Sequence, residues 1–179
     1  MTSKLKVNIL ADGGDNAIMT SDGSGSLTIN NAALKMTPSF AAKMSAGQSL
    51  SNDTSTKIAY DTEVYDTDSA YDHSSNYRFT VPSGKAGKYF IGASARSGTI
   101  TDTKKITMYF HINGSEVAVN HAATTSTGQQ YTVSVFNVID LSASDYVEVF
   151  CLHQSGGSVS FSSSSSIGSY FYGFRIIGA

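Results

Sequence analysis

The sequence predicts an all-β protein, an antiparallel β-sandwich, on three observations. Helix signals are almost absent: no stretch keeps apolar residues at i, i+3, i+4 and i+7 for three turns, and Pro38 interrupts the region richest in helix formers, Asn31 to Met44. Alternation of period two recurs in short runs. Turn residues, chiefly Gly, Asn, Asp and Ser, separate those runs.

Taken in order, each run has its own reason to be extended. Arg78-Phe79-Thr80-Val81 alternates polar with apolar and stops at Pro82, which has no N–H to give a ladder. Lys88 to Ala95 follows Gly84 and Gly87. Ile106 to Ile112 leads directly into Asn113-Gly114, a strong hairpin signal because both residues tolerate positive φ, and Glu116 to Asn120 is the return strand. Gln130 to Ile139, Asp145 to His153, Val159-Ser160-Phe161 and Tyr170 to Ile177 complete the set. Eight or more short strands with turns between them fit a sandwich or barrel.

The chain has 179 residues, about one domain, and can bury a core without staples. Only 15 % of it is charged, against a usual ~25 %, and 29 serines and 17 threonines fill the gap. A net charge of −2 argues against a nucleic-acid partner, and no apolar run reaches the ~20 residues of a membrane span, so no membrane insertion is expected. Met1 to Val7 lacks the apolar stretch of a secretory signal. A single cysteine, Cys151, excludes an internal disulfide framework and a cysteine zinc cage. The sequons at Asn52 and Asn113 therefore read as chance matches.

Residues 1–37 contain none of the chain's 10 tyrosines and 9 phenylalanines and hold two short apolar pieces, Leu5–Leu10 and Leu27-Thr28-Ile29. A segment without aromatics builds little core alone, so 1–37 reads as an arm that orders against a partner or further copies of itself, and 38–179 as the head. The Ser162–Ser166 run reads as a solvated loop between strands.

Catalytic motifs are missing. His73, His111, His121 and His153 have no H-x-x-x-H spacing, Gly92-Ala93-Ser94-Ala95 ends in Arg96 where a nucleophile elbow needs glycine, and no phosphate loop exists. No catalytic residue and no cofactor are assigned, and the expectation is a non-enzyme. Asp61, Glu63, Asp66, Asp68 and Asp72 form the one acidic cluster. A solvated acidic loop is its plain reading and a calcium site the alternative, since hard cations take several carboxylate oxygens.

Two strands carry large apolar groups on both faces. Val147, Val149 and Cys151 alternate with Tyr146, Glu148, Phe150 and Leu152. Tyr172, Phe174 and Ile176 alternate with Phe171, Gly173, Arg175 and Ile177. Strands of this kind need covering twice, which argues for a subunit interface; a central strand under a long loop is the alternative.

The ordered strands resemble the globular head of complement C1q, within the C1q/tumour necrosis factor superfamily. The resemblance runs from Pro38-Ser39-Phe40-Ala41-Ala42 through Thr56 to Asp61 and Ala70-Tyr71-Asp72. It is sharpest at Tyr77 to Pro82 followed by Gly87-Lys88-Tyr89-Phe90-Ile91, similar to F-x-x-P-x-x-G-x-Y-x-F. Leu141 to Val147 is similar to L-x-x-G-D-x-V with Ser144 in place of glycine, and Phe171-Tyr172-Gly173-Phe174 matches F-x-G-F. This resemblance implies a ten-stranded jelly roll, a homotrimer, and no catalytic chemistry. It puts Phe79, Val81, Tyr89, Ile91, Val147, Val149, Phe174 and Ile176 in the core, and turns Tyr146, Phe150, Phe171 and Arg175 toward neighbouring subunits.

The opening, Ser3 to Asn8 with Gly23 to Ile29, is similar to the openings of tail-fibre and appendage proteins of tailed bacteriophages. The expectation is a virion protein, made in the host cytoplasm, whose arm docks to other virion proteins. Its trimeric head would bind a host receptor, a cell-surface glycan suiting its neutral hydroxyl-rich surface. The candidate contact loops are Asp66–Asn76, Gly98–Lys105, His121–Gln130 and Gln154–Ser158, with Asp66, Asp68, Tyr71, His73, His121 and Gln154 as contacts. A capsid decoration protein that stabilises the particle is the alternative. A depolymerising enzyme would need opposed carboxylates, and only the 61–72 cluster supplies any.

Overall fold

The computed structural model describes residues 7–30, 36–100, 104–125, 128–161 and 168–177. The serine run, the first six residues and parts of the 98–105 and 121–130 loops lie outside the described residues. Those that are described form strands and turns and no helix.

The arm contains three antiparallel strands, β1 (Ile9–Ala11), β2 (Ala17–Ser21) and β3 (Leu27–Ile29), paired in that order as a separate meander. Its turns are self-capped. Asp12 Oδ1 accepts from the amides of Gly14 and Asn16 at 2.9 and 3.0 Å, and Asp22 Oδ1 accepts from the amide of Ser24 at 2.8 Å. These bonds compete well with water because the acceptor is a carboxylate.

The head begins with β4 (Ser39–Lys43), β5 (Gln48–Leu50), β6 (Thr56–Lys57), β7 (Thr62–Asp66), β8 (Tyr71–Asp72) and β9 (Arg78–Thr80). It continues with β10 (Gly87–Ile100), β11 (Lys105–Ile112), β12 (Ser115–Ala123), β13 (Gln129–Leu141), β14 (Tyr146–His153), β15 (Val159–Phe161) and β16 (Tyr170–Arg175). The described head thus has 13 strand segments against the ten expected, and five of them, β5, β6, β8, β9 and β15, are only two or three residues long.

Two sheets face each other. In the first, the 14-residue β10 is the spine: β13 pairs along its whole length on one side, and β16 and then β15 share the other. β16 passes the ladder on to β4 and β7. The second sheet runs β12-β11-β14-β9-β8, with β6 also on β14. The β11–β12 hairpin forms where expected, with Asn113 at φ 50° and Gly114 at φ 82° in the left-handed region its two-residue turn requires.

Between the sheets lies an aromatic core. Phe40 stacks on Phe79 at 4.7 Å and on Tyr71 at 5.3 Å, and meets Phe171 edge-on at 4.9 Å. Phe79, Val81, Tyr89, Ile91, Val147 and Val149 are buried as the alternation predicts, and so is Cys151, whose thiol burial pushes up to about 12.

β16 has the opposite phase to the expected one. Phe171 is fully buried among Phe40, Tyr60, Tyr71 and Phe110, so it does not face a neighbour. Tyr172 points out at 38 % exposure, and Phe174 shares its face. The phase follows from Gly173: a Cβ there would sit 2.6 Å from Ile91 Cδ1 and 3.0 Å from Phe40. A side chain there would have to displace both, so Gly173 lets β16 lie close over the core, and Phe171, two residues away, shares its inward face. Ile176, expected in the core, lies beyond the end of β16 and is half-buried.

Candidate functional site

The strand registers give the head two ends. Phe40 is paired with Asp66 and Phe174 with Ser39, so the β7–β8 turn and the end of β16 lie where the arm joins. The β9–β10 and β13–β14 turns and the Asn113-Gly114 hairpin lie there too, since Gly87 pairs with Leu141 and Val81 N–H donates to Asp145. The connections around 44–47, 51–55 and 154–158, and residues 124–125 and 128, lie at the far end.

This divides the predicted contact residues. Asp66 and Asp68 stand at the arm end, and Tyr71 is buried with its hydroxyl donating to the Tyr60 carbonyl at 2.9 Å. His73 lies 3.6 Å from Glu63 on the side of the head, and His121 Nδ1 is 3.0 Å from the Thr107 hydroxyl on the outer face of β12. Gln154 alone of the six belongs to the far-end loops. A single recognition site therefore cannot hold all six.

The acidic cluster does not converge either. Asp61 accepts from the Ser45 amide at 2.6 Å and hydroxyl at 2.5 Å. Partial burial pushes its carboxyl up, but those bonds outweigh burial and hold it below the usual range. Asp66 takes the Tyr71 amide at 2.7 Å, Asp68 pairs with Lys85 at 3.4 Å, and Asp72 caps the following turn through the amides of Ser75 and Ser74. These bonds hold the Asp72 carboxyl far below its ordinary value. Among the described residues no three acidic, His or Cys groups gather to hold a metal.

At the far end two loops are laced together. His153 is buried, and its Nε2 donates to the Leu50 carbonyl at 2.9 Å while Nδ1 meets the Ser155 hydroxyl at 2.8 Å. A carbonyl can only accept, so the proton sits on Nε2. Asp53 N–H donates to the His153 carbonyl, Gln154 Nε2 to Asp53 at 2.8 Å, and Gly156 N–H to Asn52 Oδ1 at 2.7 Å. The result is a hydrogen-bonded rim of amides and hydroxyls that also holds the Asp53 carboxylate.

A group of exposed aromatic and apolar side chains lies elsewhere, on the outer face of the first sheet. Phe136 is 67 % exposed, Val138 51 % and Tyr172 38 %, and Phe90 lies between them. Ring centroids run from Phe90 to Phe174 at 5.4 Å, to Tyr172 at 6.4 Å and to Phe136 at 6.5 Å. Gly92 seats the Tyr172 ring, since a Cβ there would be 2.6 Å from it. A groove of about 390 Å³ borders this patch between the facing edges of β12 and β13.

The expected interface residues do not lie on this patch. Tyr146 and Phe150 are half-buried on the other sheet, Tyr146 beneath the Arg78 guanidinium at 4.2 Å and Phe150 stacked on His111 at 4.1 Å. Arg175 shares the Phe171 face and donates to the Ala86 carbonyl at 2.8 Å. Phe90 and Phe136 went unassigned although their strands show the same signal, Phe90 between Tyr89 and Ile91, and Phe136 and Val138 opposite Val133 and Val135.

Comparison with solved structures gives the fold its relatives. The chain is similar to the globular domain of zebrafish complement 1qA protein, at 14 % identity and a TM-score of 0.52 over 78 % of this chain and 97 % of that one. It is similar to Eiger TNF from S. frugiperda, at 13 % identity and 0.56 over 79 % and 92 %. It is also similar to murine APRIL, at 12 % identity and 0.55 over 77 % and 98 %. No protein-family model and no curated protein matches its sequence. The head therefore has the jelly-roll fold of C1q and TNF-family domains.

Proposed function

We propose that the chain is a non-catalytic recognition head that works as a homotrimer, carried by an appendage of a tailed bacteriophage. The observation that carries this reading is the aromatic patch of Phe90, Phe136, Tyr172 and Phe174, continuous across three strands and open to solvent in the single chain. A patch of this kind marks a contact surface, and a closed ring of identical subunits covers it without leaving an edge. The C1q/TNF-type fold supports the same stoichiometry. With that face inward, the far-end rim points away from the arm. Its neutral amides and hydroxyls suit a host cell-surface glycan. The arm then attaches the trimer to other virion proteins.

Light scattering on the full chain tests the assembly. The expected mass is three times 18.9 kDa, and Phe136→Asp with Tyr172→Asp should give a folded monomer. A wild-type monomer at micromolar concentration overturns the reading. Recognition is tested by adding the purified trimer in excess to host cells: it should bind them and slow infection, and a trimer that does neither overturns the receptor assignment.

A further inference from the structure

The meander has one face whose central row is apolar, with Ser21 at its edge. Register places Leu10, Met19 and Ile29 in one cross-strand row, with Leu27 on the same side; past the irregularity at Ile18, Ala17 pairs with Ala11. The other face carries Ile9, Ile18, Thr20, Thr28 and Asn30, and there Asn30 Nδ2 donates to Thr20 Oγ1 at 2.9 Å. In the single chain Leu10 is 46 % and Leu27 59 % exposed, and Ile9 on the other face is 58 % exposed. A single layer of strands only three to five residues long needs its apolar face covered to persist in water.

We infer that the cover is the same face of two further copies: three meanders pack apolar side inward as a triangular β-prism. This rests on the trimeric reading of the head. Three observations favour copies of this chain over a foreign partner. The face carries no charge, and Asp12 and Asp22 lie in turns where they are saturated by their own amides, so nothing on it orients a polar or basic partner. Three sheets with one apolar face each close a prism and leave no such face over. Position completes the argument. The arm enters the head at β4, beside β16 and in the sheet that bears the aromatic patch. The chain from Asn30 to Ser39 reaches at most about 30 Å. Heads joined through that patch therefore keep their meanders at high effective concentration.

The test uses the full chain with Met19→Cys, and Ser24→Cys in the β2–β3 turn as control. Cys151 is buried and stays silent. The prism predicts that Met19→Cys trimers cross-link covalently under mild oxidation. They should also react with maleimide at least about tenfold more slowly than Ser24→Cys. Leu27→Cys, on the same face, repeats the reading if Met19→Cys fails to fold. A trimeric mass with Met19→Cys labelling as fast as the control and no cross-link overturns the prism and leaves the head trimer standing. A monomeric mass overturns both.

Discussion

Phe171 joins the two sheets through one ring, meeting Phe40 from its own sheet and Phe110 and Tyr71 from the other. Phe171→Ala should cost about 3–5 kcal/mol of stability in a denaturant titration, because the ring leaves a cavity its packed neighbours cannot fill. Phe150→Ala, half-buried on an outer face, should cost less than about 2 kcal/mol. Ser144 makes the opposite case. It holds φ 72°, where the resembling motif has glycine, and its amide donates to the Val81 carbonyl at 2.9 Å. Ser144→Gly should raise stability by about 0.5–1 kcal/mol, the left-handed strain removed being partly offset by a looser unfolded chain. The carboxylates set the acid limit. Asp61 and Asp72 titrate below their ordinary values when folded, so the stability they contribute is complete above about pH 4 and is lost as pH falls through their folded values. Unfolding midpoints should be flat from pH 7 to about 5 and drop toward pH 2, less steeply in Asp61→Asn.

Strands show how far the sequence could be read. Period two and turn chemistry were enough for β9, β10, β11, β12, β13, β14 and β16, because alternation and Asn113-Gly114 act locally. β2 was not legible: Ala-Ile-Met-Thr-Ser carries no aromatic and little alternation, and it is defined by pairing with both neighbours. The phase of β16 was not legible from apolarity either, since both faces qualify. It is set by a tertiary contact, the fit of Gly173 beneath Ile91 and Phe40. Which of the candidate loops share an end was not legible for a related reason: linear position does not say which end of a sandwich a turn occupies, and Asp66 and Gln154 lie at opposite ends. Gly92 offers a test at this scale. Gly92→Val would drive the Tyr172 ring off its seat while suiting a strand, so the fold should persist. Dissociation of the assembly on dilution should move to at least about tenfold higher concentration, read by light scattering.

At the scale of the molecule, the spine β10 holds the first sheet together, and in that sheet β4 at the start of the head pairs with β16. Phe40 in β4 lies opposite Gly173 in β16, so the longest-range ladder in the fold closes near the finish of the chain. Such pairings are slow to form, because loop closure must precede any gain from contact. The outward aromatic patch takes two of its rings, Tyr172 and Phe174, from that same strand. A nascent chain still on the ribosome before residue 170 consequently has neither a finished first sheet nor a complete contact surface. On the proposed trimer, the surface that joins one head to the next is therefore complete only once synthesis has passed β16, and a product terminated before residue 170 lacks two of its four rings.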